Sequence, residues 1–464
     1  MSATSAAVPI ASVSPRPVWL DHVRTWADTP HVLLVGVVVI WVASLGLVLA
    51  GNASLAEARR TIQTIGRDTA PSIVAAQSMK ASMVDMDANA ANDLLGGPNG
   101  VQAARDTYNT DRAAAVAGLI RAARNITYPE EEPLIQTMEN DMSLYAGYVA
   151  QAQLYNAMGD SGSATQAMKA ATDLMHQQIL PAADQLDAVN FDHLTATYAD
   201  RKQTAGLSLA LVLIAGVLVV ALLVVVQVFV ARRTRRVLNL PLLGATVVAL
   251  LLTGRLVSTL NAETTDLKVA KQDAFDSVHY LWQARAIAYD ANGDESLWLL
   301  PGFDKPQYDA SFHAKTAELV DRPLTDQLIA SAAAGNVQFK GRFADEMNNI
   351  TFPGELEAAT QMLRTHAQYY ALDAQIRSLE TSGQHAAAVA LCTGYAVGQS
   401  NWAFAQFDAA LGQTLVINEQ WFADSVQRAF DDLNGMDVIG PIAGLIVAGL
   451  VWLGLQPRIA EYRA

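Results

Sequence analysis

Asp87-Ala88-Asn89 and Asp290-Ala291-Asn292 each set a carboxylate two residues from a carboxamide, and the chain carries this pair twice. Such groups can contact an amino-acid-like ligand, or a protein that carries one. The plainer reading is a capping or packing network, because Asp and Asn inside a helix compete for backbone hydrogen bonds and settle best among other polar groups. Arg232, Arg233, Arg235 and Arg236 form a second cluster, a compact basic surface suited to an acidic site on a soluble partner. Its competing reading is orientation and lipid contact alone, and that reading is the stronger. Gly440, Gly444 and Ala448 make a small-residue face that lets helices approach closely. It is expected to pack against another span, within the chain or in a homodimer. Glycine and alanine are common enough here that this spacing arises by chance about as readily.

Catalytic chemistry is not expected. The sequence has no phosphate-binding glycine loop and no His-Glu-x-x-His, and its eight histidines are scattered without metal-ligand spacing. No nucleophile with a base partner stands out, so no catalytic residue, metal or cofactor is assigned. The one cysteine, Cys392, excludes an intramolecular disulfide and reads as a small buried residue.

The elements that must position these residues are helices. Four apolar runs, 32–51, 207–230, 237–255 and 437–455, match the roughly 20 residues that cross a bilayer as a helix. The first starts too deep and lacks the Ala-x-Ala flank of a cleaved signal peptide. The arginine-dense 231–236 loop, with Arg16 and Arg24 before the first span and Arg458 and Arg463 after the last, places both termini (1–31 and 456–464) in the cytoplasm. The long segments 52–206 and 256–436 then lie outside. They hold most of the acid in a chain of net charge −14, which argues against nucleic acid as a partner. No inside segment is long enough to fold as a kinase or cyclase.

Both long segments read as all-α, rich in Ala, Gln, Leu and Met and free of alternating β-branched runs. Breaks at Gly96-Gly97-Pro98-Asn99-Gly100, Tyr128-Pro129 and Gly159-Asp160-Ser161-Gly162 divide the first into four helices. In its third helix Met138, Met142, Tyr145, Val149 and Ala152 step by three and four, one stripe for a bundle core. The second segment breaks at Pro301-Gly302, Phe352-Pro353 and Ser382-Gly383. Asn125-Ile126-Thr127-Tyr128-Pro129 recurs as Asn349-Ile350-Thr351-Phe352-Pro353, and in that register Met138 meets Met362 and Tyr145 meets Tyr369. The Asp-Ala-Asn anchors repeat at a smaller offset, so the second copy holds extra residues around 303–336. Asn-Ile-Thr is a formal glycosylation sequon, but the plainer reading is a helix stop, with asparagine at a left-handed cap and proline soon after.

Two units of span, four-helix segment and span resemble the four-helix-bundle sensor domains of bacterial chemoreceptors and histidine kinases. More closely, the duplicated Asp-Ala-Asn ectodomain, the four spans and the tail Gln456-Pro457-Arg458-Ile459-Ala460-Glu461-Tyr462-Arg463 resemble the actinobacterial GlnX family of membrane proteins. That resemblance implies a relay. A GlnH-like extracytoplasmic solute-binding lipoprotein detects amino acids, the membrane protein carries the state inward, and a PknG-like cytoplasmic serine/threonine kinase responds. A direct small-molecule receptor and a transporter or channel subunit are the alternatives. The second is disfavoured by spans nearly free of charge, with Pro241 and Pro441 near their ends.

Overall fold

The computed structural model describes residues 29–234 and 239–461, and within them the protein is helical with no strand. Arg16, Arg24, Arg235, Arg236 and Arg463 lie outside the described residues. The fifteen α-helices described are α1 Thr29–Gln63, α2 Ala70–Leu95, α3 Gln102–Arg124, α4 Glu131–Ala157, α5 Ser161–Leu174, α6 Leu180–Thr234, α7 Leu240–Lys268, α8 Asp276–Leu299, α9 Lys305–Leu319, α10 Asp326–Ala333, α11 Arg342–Asn349, α12 Glu355–Thr381, α13 His385–Thr393, α14 Ser400–Leu433 and α15 Met436–Glu461. Wider π turns at Thr64–Thr69, Met175–Ile179 and Val269–Phe275 join α1 to α2, α5 to α6 and α7 to α8. Four continuous helical stretches are long and apolar enough to cross a membrane among the described residues.

The chain divides into two compact units. One gathers residues up to 57, 204–261 and 433 onward. Its outer surface is a belt of exposed Val, Leu and Ile, including Val35, Val42, Leu45, Ile214, Val217, Leu251 and Leu445, as expected of helices that face lipid. Inside it small residues set the contacts. A Cβ on Gly444 would stand 2.7 Å from Val48, and one on Gly216 would stand 2.4 Å from Thr253. Trp41 Nε1 donates to the Ala448 carbonyl at 3.1 Å, so the first and last spans are tied at the backbone.

The second unit, 58–203 with 262–432, holds both long segments. The first segment follows the expected plan. α2 ends at Leu95, α3 at Arg124 and α4 at Ala157, and the stripe Met138, Met142, Tyr145, Val149 and Ala152 is buried in a methionine-rich core. The second segment departs from it. Its second helix comes in three pieces, α9, α10 and α11. Gly341, at φ 107°, turns the chain into α11 where a Cβ would stand 2.6 Å from the Glu318 and Leu319 carbonyls. Its fourth helix is preceded by the short α13 and by a turn at 394–399, where the composition predicts continuous helix. Asn125 also corrects an expectation. It ends α3, but at φ −119° and not in the left-handed region, and its side chain bonds Ser72 Oγ at 2.6 Å.

The two segments share their cores. Leu297, Leu300 and Phe303 pack into the core of the first, and Ile65, Ile73 and Leu194 into the phenylalanine-rich core of the second. Between them α2 lies against α8. A Cβ on Gly293 would meet the Ala88 Cβ at 3.3 Å, so the two helices approach closely where the Asp-Ala-Asn motifs stand.

Candidate functional site

Asp87 and Asn89 on α2 and Asp290 and Asn292 on α8 come together at this crossing, each in a different role. Asp87 is buried. Its Oδ1 accepts from Tyr145 Oη at 2.9 Å, and Thr172 Oγ1 lies 3.3 Å from both carboxylate oxygens. His176 Nε2 bridges the two motifs, 3.5 Å from Asp87 Oδ2 and 3.6 Å from Asp290 Oδ1. Lys315 Nζ closes the chain of charges, at 2.8 Å from Asp290 Oδ1 and 2.6 Å from Asp294 Oδ2. Burial alone would lower the His176 pKa, but the hydrogen bond to Asp87 and the charges of Asp290 and Asp87 outweigh it, and the pKa is raised. A carboxylate that already accepts from Tyr145, Thr172 and His176 has little capacity left for a ligand.

The asparagines face elsewhere. Asn89 donates to Asp85 Oδ1 at 2.7 Å and accepts from Tyr395 Oη at 3.3 Å, a bond between the segments. Asn292 donates to Tyr369 Oη at 3.4 Å. Beside Asn89, burial and then the Asp111 charge hold the Asp85 carboxyl well above its usual range, while Arg285 binds Asp408 through two hydrogen bonds of 2.7 and 2.6 Å. Ser296 Oγ donates to Asn92 Oδ1 at 2.7 Å. The crossing is thus a polar seam in which Ser296–Asn92 joins α2 to α8 directly and His176 and Tyr395 reach across between the segments, while the remaining bonds stay within one segment. Through those three contacts a displacement in one segment changes the surroundings of groups on the other. His176, Lys315 and Asp294 were missed from the sequence, because each meets its partners through a helix crossing and no local spacing announces it.

Arg232 and Arg233 stand exposed at the end of α6, and Arg235 and Arg236 fall outside the described residues. Gly440 faces Asn52 Oδ1, Gly444 faces Val48 and the Ala448 carbonyl accepts from Trp41, all three partners on α1. Among the described residues no three His, Cys, Asp or Glu are grouped to hold a metal ion.

Residues 61–199 match the family model described as an actinobacterial sensor domain. The match runs from the end of α1 through α2–α5 and into α6, and so includes Asp87, Asn89, Tyr145, Thr172 and His176. No curated protein and no solved structure matches the chain. The chain therefore carries a sensor domain on an all-helical scaffold with four apolar helices fit for a membrane, and its role is one of sensing or signalling.

Proposed function

We propose that this protein is a transmembrane signal transducer that relays amino-acid availability outside the cell to a cytoplasmic serine/threonine kinase. The observation that carries the reading is the sensor-domain match, over residues whose helices α1 and α6 also contain apolar spans. The input, in this proposal, is a GlnH-like solute-binding lipoprotein and the output a PknG-like kinase. The two long segments are tandem copies of one bundle and lie outside, and the termini with Arg232, Arg233, Arg235 and Arg236 lie inside. Three matched hydrogen-bond patterns support the duplication. Glu131 Oε2 accepts from the Thr127 and Tyr128 amides as Glu355 Oε2 does from Thr351 and Phe352. Asn125 donates to Ser72 as Asn349 does to Ser277. Asn190 donates to the Leu186 carbonyl as Asn418 does to Thr414. A packed seam with few discrete arrangements suits a switch better than a hinge does.

The test has two arms. Single cysteines at Asn99, Gln384 and Thr234 are labelled with an impermeant thiol reagent in intact cells; Cys392 is buried and contributes little background. Labelling of the first two and protection of the third is expected, and the reverse pattern sinks the topology. Pull-down of the binding protein by the full-length chain, with and without aspartate or glutamate, tests the relay. Equal absence of capture in both conditions removes the binding protein from the scheme.

A further inference from the structure

A pocket of about 300 Å³ opens inside the first segment, between α2, α3, α4 and α6. Pro71, Ala75, Ala76, Ile135 and Leu186 make its apolar walls, and Asn190 lines it with an Oδ1 that has no hydrogen-bond partner although the residue is only 2% exposed. At its rim stand Arg67, Arg121 and Arg124 with one acid, Asp68, whose Oδ1 accepts from Gln63 Nε2 at 3.1 Å. The Arg67 guanidinium stacks 4.2 Å over the Phe430 ring. Among the described residues no carboxylate lies within ion-pairing distance of Arg121 or Arg124.

The second segment shows what belongs there. The register that sets Asn125 against Asn349 and Glu131 against Glu355 also sets Ala122, a pocket residue, against Glu346. Glu346 is fully buried, and its carboxyl lies against Ser277, Asn418 and Glu355; Glu355 is the counterpart of the pocket residue Glu131, and Ser277 bonds Asn349 as the pocket residue Ser72 bonds Asn125. It makes no well-formed hydrogen bond there, and burial, then the neighbouring Glu355, push its pKa up to about 8. A side-chain carboxyl of the protein itself thus fills, in the second segment, the place that Ala122 leaves open in the first. In the same register Asp345 and Asn348 replace Arg121 and Arg124, so only the open pocket carries the basic rim.

We propose that this pocket binds a small aliphatic carboxylate, the class that includes amino acids, with its carboxyl group in the place that Glu346 occupies in the second segment. The arginines at the rim draw the anion in, since guanidinium pairs well with carboxylate. The walls take a short aliphatic body, and a volume of this size sits at the small end of ligand pockets. The inference rests on the reading of this chain as a sensor with duplicated segments, and it adds a ligand read by the transducer itself. It needs neither the binding protein nor the kinase.

The test is calorimetric titration of the full-length protein in lipid nanodiscs with propionate, succinate, L-aspartate and L-glutamate, and with propionamide as the uncharged control. At least one carboxylate is expected to bind and propionamide is not. Arg121→Gln with Arg124→Gln, both exposed, should weaken binding at least tenfold. Ala122→Glu should abolish it by supplying the carboxyl from within. Absence of binding by all four carboxylates overturns the proposal, as does a wild-type affinity in either variant. Because the assay contains no partner protein, a failed relay and a failed pocket give different results.

Discussion

Arg201 on α6 and Glu263 on α7 form a buried ion pair whose loss from one side should be costly. Their side chains are 2% and 0% exposed, and the contact is bidentate, Nε to Oε1 at 3.1 Å and Nη2 to Oε2 at 2.5 Å. Glu263→Gln keeps the shape and removes the charge, which leaves a guanidinium in a low-dielectric site. Breaking a buried pair from one side costs about 3–5 kcal/mol, whereas replacing both partners by apolar residues of similar volume is often neutral or stabilising. With about 2–4 °C of melting temperature per kcal/mol, a value for domains somewhat smaller than this unit, Glu263→Gln should lower the melting temperature by about 6–20 °C. Arg201→Met combined with Glu263→Leu should recover most of that loss. The assay is thermal unfolding of the full-length protein in detergent, followed by circular dichroism of the helices. A Glu263→Gln protein within about 1 kcal/mol of wild type would refute the argument, because it would mean that water reaches the guanidinium. So would a double variant as unstable as the single one, since that assigns the cost to packing and not to charge.

The pKa of His176 is raised in the folded protein, so its pairing with Asp87 and Asp290 stabilises fully below about pH 6.5 and is lost as pH rises through the folded value. His176→Gln should flatten that dependence, on the order of 1 kcal/mol between pH 5.5 and 8; an unchanged stability–pH curve counts against the bridge. Glu346 titrates in the same sense, because a buried acid raised to about 8 stays protonated while the unfolded chain ionises above about pH 4.5. Stability therefore falls between those pH values, and Glu346→Gln should raise the melting temperature at pH 8 far more than at pH 5. Gly444→Leu drives a side chain into Val48 and should cost about 1–3 kcal/mol or reduce the yield of folded protein in detergent. A variant that melts and elutes like wild type shows that the spans have room there.

The elements that a local pattern can specify were readable from the chain. The stripe from Met138 to Ala152 announced a core helix, and Gly96–Gly100 and Gly159–Gly162 announced their turns. A cluster of glycine and proline breaks a helix wherever it stands. The turn at 394–399 escaped because Ala396 and Val397 continue a helical composition and only Gly398 takes a left-handed φ, of 86°. The π turns escaped for a related reason: Thr64-Ile65-Gly66-Arg67-Asp68-Thr69 has nothing a helix would refuse, and the extra residue is fitted by tertiary packing, with Gly66 against Val426. Of the polar seam, the sequence offered Asp87, Asn89, Asp290 and Asn292 as a recurrent motif. It could not say that Asp87 is saturated by Tyr145, Thr172 and His176, because those residues arrive from α4, from α5 and from the π turn after it. Nor could it show that Ala122 lines a pocket while Glu346 is fully buried, since neither residue stands out until its surroundings are seen.

The close contact of α2 with α8 has a consequence for how such a protein can change over time. Where a sensor is assembled from two identical chains, pairing depends on how much protein the membrane holds, and every substitution appears on both sides of the interface at once. Here the facing helices belong to one polypeptide. Their encounter is intramolecular, at an effective concentration fixed by the intervening chain and insensitive to expression level. Each face can also mutate alone. On the duplication and the pocket proposed above, one side has closed its cavity with a carboxyl of its own and become a fixed reference, while the other keeps an open cavity and a basic rim. Covalent linkage thus frees the two halves from symmetry, so that one can be measured against the other.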